Sequence, residues 1–575
     1  MHSFDFNAFF KQVCEAAWLT HARIIDSKSC PRYRCSIYTF KGCIYLEDRE
    51  IELVIGLDKY FPLSLPKIFL VPFDVLGSIP HVDKDGFVCY AQKEGILLDT
   101  GNPIGIMRDA LLKARKTLLE GISKNNYLDF LDEFEAYWRQ LEHIEQLESF
   151  IDLTCEPQEI VAKKNSGGKY VAITPNDEII YQYNKNYKQL TSCKAVYIPL
   201  KPEAKIFPPH FFNLWSLEDL RKIVSQNISE QSVSFLENKR KEKIKREEIV
   251  ILSQVRPSGG LSVFGLLFKE VKSGYPLFAD SSVEQIIPLQ LKRQDQAYLL
   301  PRGGSQVALK EKKVALIGCG SVGGFISQEI IRSGIQNLTL IDKDSFDPEN
   351  TFRHVLGRSY IGKNKAEALK TDIEQRMPYV SLVAKKEPVE QLIADKQFSF
   401  MSFDLIIVAL GNPTIELYLN KLCYVTERSP PIIFTWLEPY GIGGHALLAN
   451  NNSKRGCLAC LYTSEDSAKE KVLFNKASFA EKEQYFAKTL TGCGSLFTPY
   501  GSLDAVQTAV LATRLAISVF EQRELDNPIL SWKGCDKSFL EARFKLSVRY
   551  VQTENELFER RYLYKNAKCP ICGAY

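Results

Sequence analysis

Val314-Ala-Leu-Ile-Gly-Cys-Gly-Ser-Val-Gly-Gly324 and, a little further on, Leu338-Thr-Leu-Ile-Asp-Lys-Asp344 decide the fold of this chain. An apolar run breaks into a glycine turn, an amphipathic helix is expected to follow, and a second apolar run ends in an acid. This is the pattern of a mononucleotide-binding βαβ unit. Gly318 permits the tight turn, Gly320 lets the backbone approach a phosphate, and Gly323 lets the helix pack closely on the strand. Asp342 falls where an acid that contacts a ribose belongs. Phe403-Asp-Leu-Ile-Ile-Val-Ala-Leu410 is near-continuously apolar, as a strand buried on both faces should be, and Pro431–Trp436 reads as another. The alternation of strands and helices predicts a doubly wound α/β sheet.

Outward from this unit, the chain has 575 residues, too many for one core, and two to four domains are expected. Hydrophobic content of 45% and charged content of 25% are ordinary globular values. A net charge of +4 over this length does not point to nucleic acid. No apolar run approaches the roughly 18 residues of a bilayer span. Met1-His-Ser-Phe-Asp-Phe-Asn lacks the basic and apolar regions of a signal peptide. The expected compartment is the cytosol. In that reducing setting, distinctive members of the fifteen cysteines are better read as metal ligands or nucleophiles than as disulfides. Cys14, Cys43, Cys155, Cys193 and Cys423 read as plain small core residues.

Three blocks are expected. Residues 1–150 open with a helical pattern, Phe4 to Ala17. Strand-like runs follow at Cys35–Phe40 and Ile51–Ile55, and a helix-rich segment from Ile106 to Leu147 closes the block, which reads as α+β. Residues 151–300 carry short β-like runs at Tyr170–Ile173 and Ala195–Leu200. Their charge run Glu237–Glu248 reads as a solvated helix or linker. No chemistry is evident in this block. Residues 301–575 hold the βαβ unit and most remaining signals.

Four motifs carry chemistry. A glycine loop alone points to NAD or FAD more often than to ATP, and its neighbours shift the reading. Asp344-Ser-Phe-Asp-Pro-Glu-Asn350-Thr-Phe-Arg353-His is followed by Gly362-Lys363-Asn-Lys365. An arginine and two lysines beside a phosphate loop suit a triphosphate better than a hydride transfer. The bland alternative is surface charge at a helix start. Cys457-Leu-Ala-Cys460 and Cys569-Pro-Ile-Cys572 each supply two thiolates on one knuckle, and two knuckles complete a tetrahedral zinc shell. Thr491-Gly-Cys493-Gly-Ser495 places a cysteine in a glycine-rich loop ahead of a helical segment, Leu503 to Phe520. That is the setting of an activated nucleophile, or of a small filler. Pro80-His81-Val-Asp83-Lys-Asp-Gly86-Phe-Val-Cys89 puts a histidine and an acid before a cysteine, after Phe61-Pro62-Leu-Ser-Leu-Pro66. Its bland alternative is a turn and a buried cysteine.

Together these residues resemble a known arrangement. The third block is similar to the adenylation domain of ubiquitin-activating-type enzymes, the ThiF and MoeB group. By that resemblance Asp342 contacts the ribose, Asn350 and Arg353 contact the triphosphate, Lys365 contacts the phosphates, and Cys493 accepts a thioester. That family has an Asp-Asn pair after the strand ending at Leu410. Here Gly411-Asn412 stands instead, so the acid that helps to hold magnesium must be Asp344 or Asp404, or the metal is held differently. The first block resembles a ubiquitin-conjugating domain, with His81…Cys89 similar to its His-Pro-Asn…Cys and Asp83 standing where Asn is usual. The layout resembles the bacterial fusion proteins of CBASS antiphage operons, which attach the C-terminus of a cGAS/DncV-like nucleotidyltransferase to target proteins.

The resemblance implies an N-terminal α+β conjugating-like domain, a β-rich linker domain and a C-terminal Rossmann-like adenylation domain. It implies ATP, Mg2+ and a structural Zn2+ as cofactors. A partner protein's C-terminus would be adenylated, passed from Cys493 to Cys89 and joined to a target amine, with no direct nucleic acid, no membrane, and a homodimer through the adenylation domain. A sulfur-carrier activator of the cofactor-biosynthesis type and an NAD-dependent oxidoreductase are the alternatives.

Overall fold

The computed structural model describes the chain except residues 1–3, 27–35, 92–94, 184, 243–245, 454–455, 465–473, 490–495 and 574–575. It separates into two compact units, Met1–Asp295 and Gln296–Tyr575.

In the first unit, helix Phe6–Glu15 buries Phe6, Phe9 and Val13 on one face, and the Asp5 carboxylate caps its start by accepting from the Ala8 N–H. This face packs on an antiparallel meander of Thr20–Ile24, Tyr38–Leu46, Arg49–Leu57 and Lys67–Val71. Helix Pro103–Ile122 covers the same core, with Pro103 at its first turn and Asn102 capping it. The helix-rich reading of Ile106–Leu147 needs one correction. After two short helices, Asp129–Asp132 and Phe134–Trp138, the chain enters a strand, Glu145–Ser149.

That strand belongs to a closed seven-stranded barrel. Its order around the wall is Leu261–Ser273, Ser282–Arg293, Glu145–Ser149, Tyr170–Thr174, Gln158–Lys164, Thr191–Pro199 and Glu247–Val255. Closure leaves no sheet edge. The barrel shares a core with the helices before it. Phe134, Trp138 and Leu141 pack with Phe264, Leu266 and Val250, and the Trp138 indole N–H donates to the Leu289 carbonyl at 2.9 Å. Arg256 pairs with Glu135 at 3.0 Å, across the same junction. The charge run divides: its first part ends helix Glu230–Arg240, while Glu248 is buried in a barrel strand, against the solvated reading.

The second unit is a seven-stranded sheet in the order Ser381–Lys385, Asn337–Ile341, Lys313–Ile317, Leu405–Val408, Ile432–Leu437, Gly443–Ala449 and Ile529–Lys533. The first five strands are parallel and the last two antiparallel to their neighbours. Val314 and Leu316 face one core and Ala315 and Ile317 the other, which is why the run has no polar alternation. The chain winds outward in both directions from Lys313–Ile317, so the topological switch lies between this strand and Leu405–Val408, where such sheets open a ligand crevice. Helix Ser502–Phe520 is long and apolar enough, by length and composition alone, to cross a bilayer. It packs Ala505, Ala509, Ala512 and Ala516 against the sheet and helix Ser321–Arg332.

Candidate functional site

At the switch point the strand ends Ile317, Ile341 and Ala409 open into a cleft of about 380 Å³. Gly318 has φ +95°, and a Cβ there would lie 2.5 Å from the Ala409 carbonyl, so the turn admits only glycine. A Cβ on Gly323 would lie 1.9 Å from the Gly318 carbonyl, which is the close helix–strand approach expected of it. Gly320 differs: it lines the cleft and nothing lies within 4 Å of where its Cβ would be. It also precedes helix Ser321–Arg332 without a side-chain cap, so the first amides of that helix are left for another acceptor.

Gly318, Gly320, Asp342, Asp344, Asn350, Arg353 and Lys365 all line this one cleft, and Gly323 lies behind it. Asp342 accepts from the Cys319 N–H at 2.6 Å and the Asp344 N–H at 2.8 Å, which fixes its carboxylate at the strand end. Burial pushes its carboxyl up from the ordinary value, and those two N–H groups oppose the shift. Lys365 is only 12% exposed and pairs with Asp344 at 3.4 Å. The Arg353 guanidinium lies 5.2 Å from the centre of the Tyr500 ring, and its buried Nε has no hydrogen-bond partner among the described residues. A cleft with an orphaned guanidinium donor, a half-buried lysine and bare helix amides fits a polyphosphate.

Of the two acids that could stand in for the one missing at Gly411, only Asp344 is in the cleft. Asp404 accepts from the Lys313 N–H at 2.8 Å, at the opposite end of the parallel strands. Gly411 sits at φ +65° and Asn412 caps the helix that follows. Glu387, Glu390, Tyr500 and His354 also line the cleft and went unread in the sequence. Burial holds His354 below the usual imidazole value, and Lys365 and Arg353 act in the same direction against its bond to the Cys319 carbonyl.

In the first unit, Cys89 is exposed, which removes the reading of a buried filler. Its N–H donates to the His81 carbonyl at 2.8 Å, so the two residues stand side by side across a narrow turn. His81 is held at φ +64°, and the Tyr137 hydroxyl accepts from its N–H at 2.7 Å. Its ring sits between two acids, with Nε2 2.9 Å from Asp129 and Nδ1 3.6 Å from Glu133. Asp83 turns its Oδ1 inward to accept from the Asp85 and Phe87 N–H groups, so it braces the turn. Beside this turn Leu63, Leu65, Tyr90, Ile96 and Leu98 line an apolar groove of about 290 Å³.

Cys457, Cys460, Cys569 and Cys572 are all buried, with their sulfurs within 4.8 Å of one another. Cys457 and Cys569 lie 3.6 Å apart and Cys460 and Cys572 3.3 Å apart. A tetrahedral site with metal–sulfur bonds of about 2.3 Å has sulfur–sulfur edges of about 3.8 Å, so the donor set fits zinc. Cys493 lies outside the described residues. Its flanks are a two-stranded ladder of Lys488–Thr489 with Leu496–Phe497. Of the cysteines read as core, Cys423 is buried, Cys43 and Cys193 are half-buried, and Cys14 and Cys155 are exposed.

These features agree with what the chain is similar to. The ThiF family matches residues 291–543 and the prokaryotic E2 family B matches residues 16–146. An ATP-dependent ubiquitin transferase-like protein Cap2 of Pseudomonas aeruginosa is 26% identical over 494 residues, covering 82% of this chain and 85% of that protein. One of Escherichia coli is 22% identical over 614 residues, covering 97% and 96%. A crystal structure of E. coli MccB covers 46% of this chain and 68% of its own at 20% identity, with a TM-score of 0.31. With an exposed His81–Cys89 turn in one unit and a nucleotide-type cleft in the other, the chain is a fusion of a ubiquitin-conjugating-like domain and a ThiF-family, ubiquitin-activating-like adenylation domain.

Proposed function

We propose that this chain activates the C-terminal carboxylate of a partner protein with ATP, carries it as a thioester and joins it to a target amine. The cleft carries the reading, because one cavity gathers the glycine loop, Asp342, Asp344, Asn350, Arg353 and Lys365. A carboxylate is a poor electrophile. Its oxygen attacks the α-phosphorus of ATP, pyrophosphate leaves, and the acyl-adenylate carries AMP as a good leaving group. Asp342 binds the ribose, and Arg353, Asn350 and Lys365 bind the phosphates. Mg2+ would neutralise charge on the phosphates, and Asp344 is the residue of this cleft that would hold it.

Cys493 then attacks the acyl carbon and AMP departs. Cys493 precedes Tyr500, which lines the cleft, by seven positions in the sequence. Cys89 takes the acyl group by thioester exchange, which is nearly isoenergetic, and a target lysine amine attacks it, releasing the Cys89 thiol. His81, braced by Asp129 and Glu133, faces this step. In this reading residues 1–150 conjugate, 151–300 link and 301–575 adenylate. The four cysteines hold a structural Zn2+, the enzyme works in the cytosol as a homodimer, and the partner is a cGAS/DncV-like nucleotidyltransferase, as the resemblance to the CBASS fusion proteins implies.

ATP–pyrophosphate exchange that depends on such a partner with an intact C-terminus tests the first step. Exchange without the partner, or none with it, sinks the reading. Cys493→Ala should abolish the reducible partner adduct, and Cys89→Ala should preserve that adduct while stopping transfer. Conjugation persisting in Cys493→Ala would remove the relay. Elemental analysis should find one zinc per chain, lost in Cys569→Ser.

A further inference from the structure

His354 is the buried ring that joins the two halves of the cleft. Its Nδ1 lies 3.1 Å from the Leu356 N–H, which can only donate, so Nδ1 carries no proton. The proton is therefore on Nε2, which donates to the Cys319 carbonyl at 2.8 Å. One tautomer satisfies both contacts, and it is neutral. The ring is packed as well as bonded. Phe346 meets it edge-on at 5.1 Å, and Gly324 leaves room for it, since a Cβ there would lie 3.1 Å from both Cε1 and Nε2.

The consequence reaches both sides of the cleft. The Cys319 N–H is taken by Asp342 and the Cys319 carbonyl by His354, so both peptide planes of this residue are held. A peptide is planar and trans, so holding the Cys319 carbonyl also sets the direction of the Gly320 N–H. On the other side His354 directly follows Arg353, whose buried Nε has no hydrogen-bond partner among the described residues. We propose that His354 is a positioning residue for the triphosphate, locking the glycine loop and the Arg353 guanidinium into one register. This rests on the reading of the cleft as an ATP site.

The test is calorimetric titration of the whole chain with Mg·ATP and, separately, with AMP. On the proposed reading Arg353 binds the phosphates, of which ATP has three and AMP one, so His354→Ala should weaken ATP at least tenfold and AMP less than threefold. His354→Gln, whose amide can donate to Cys319 and accept from Leu356, should restore ATP to within threefold of the parent. The double variant with Arg353→Ala should lose less than the two single losses combined, because part of the effect of His354 passes through Arg353. His354→Phe keeps the volume without ring nitrogens and replaces the alanine variant where that does not fold. ATP binding within twofold of the parent in His354→Ala and His354→Phe, equal losses for ATP and AMP, or fully additive losses in the double variant would overturn the proposal. A parent chain that binds no ATP would instead overturn the reading of the cleft.

Discussion

At the scale of the residue, Glu416 stands beneath the turn at Gly411. It lies in the first turn of helix Pro413–Val425, is 5% exposed, and accepts from the Asn412 N–H at 3.3 Å, with the Gly411 backbone also bonded to it. An acid thus braces the turn from below, although it does not line the cleft. Burial pushes its carboxyl up to about 7 against those backbone bonds. The unfolded chain releases this proton near 4.5, so the folded state binds it more tightly between the two values. Its stabilising contribution is complete below 4.5 and is lost as pH rises through 7. Glu416→Gln should therefore gain stability relative to the parent between pH 5 and pH 8, by on the order of 3 kcal/mol. Thermal melts at the two pH values check this, and a gap between parent and variant that does not move with pH would show that Glu416 is ionised throughout. At this scale the sequence is legible where function runs along the chain. Asp342, Asp344, Asn350, Arg353 and Lys365 lie close together along the chain and line one cleft. Asp129 and Tyr137, which hold His81, lie 48 and 56 positions away and are joined to it only by folding. No local pattern marks them.

At the scale of the element, the glycine loop separates two roles that one motif conflates. Gly323 is a packing residue, with no space for a methyl group, whereas Gly320 has open space and an ordinary φ of −73°. Gly323→Ala forces the helix off the strand and should cost roughly 1–3 kcal/mol. Gly320→Ala should leave the melting temperature within about a degree while weakening ATP, because its methyl group protrudes into the cleft. Melting and titration of the two variants check this, and equal destabilisation by both would mean that the loop is tightly packed throughout. The strands of the doubly wound sheet were legible because burial on both faces removes polar residues from them. Glu145–Ser149 was not. Its sequence, Glu-Gln-Leu-Glu-Ser, has one apolar residue and favours a helix. It is extended because the parallel neighbour Ser282–Arg293 supplies its hydrogen bonds, from residues far along the chain.

At the scale of the molecule, the barrel was visible only as short β-like runs, because closure depends on which strands meet and not on any one of them. Its junction with the conjugating-like domain carries a further consequence. Trp138 is 1% exposed and Phe134 fully buried, both against barrel residues, and Asp132 accepts from the Ser258 N–H at 2.8 Å. Each large aromatic exposed would cost about 1.5–3 kcal/mol. A fragment of residues 1–150 should therefore aggregate or melt without cooperativity, while residues 1–295 should fold with a single sharp transition by circular dichroism. A monomeric, cooperative melt of the shorter fragment would show that the shared core is dispensable.

The same helices brace His81, so the barrel stands behind the His81–Cys89 turn as well as behind the fold. Residue 146, where the match to the prokaryotic E2 family ends, thus falls inside one packed core and not at its boundary. A recombination event, or an engineer, that cuts there splits one hydrophobic core in two. Exchange between relatives should succeed only when the first domain and its barrel travel as a pair.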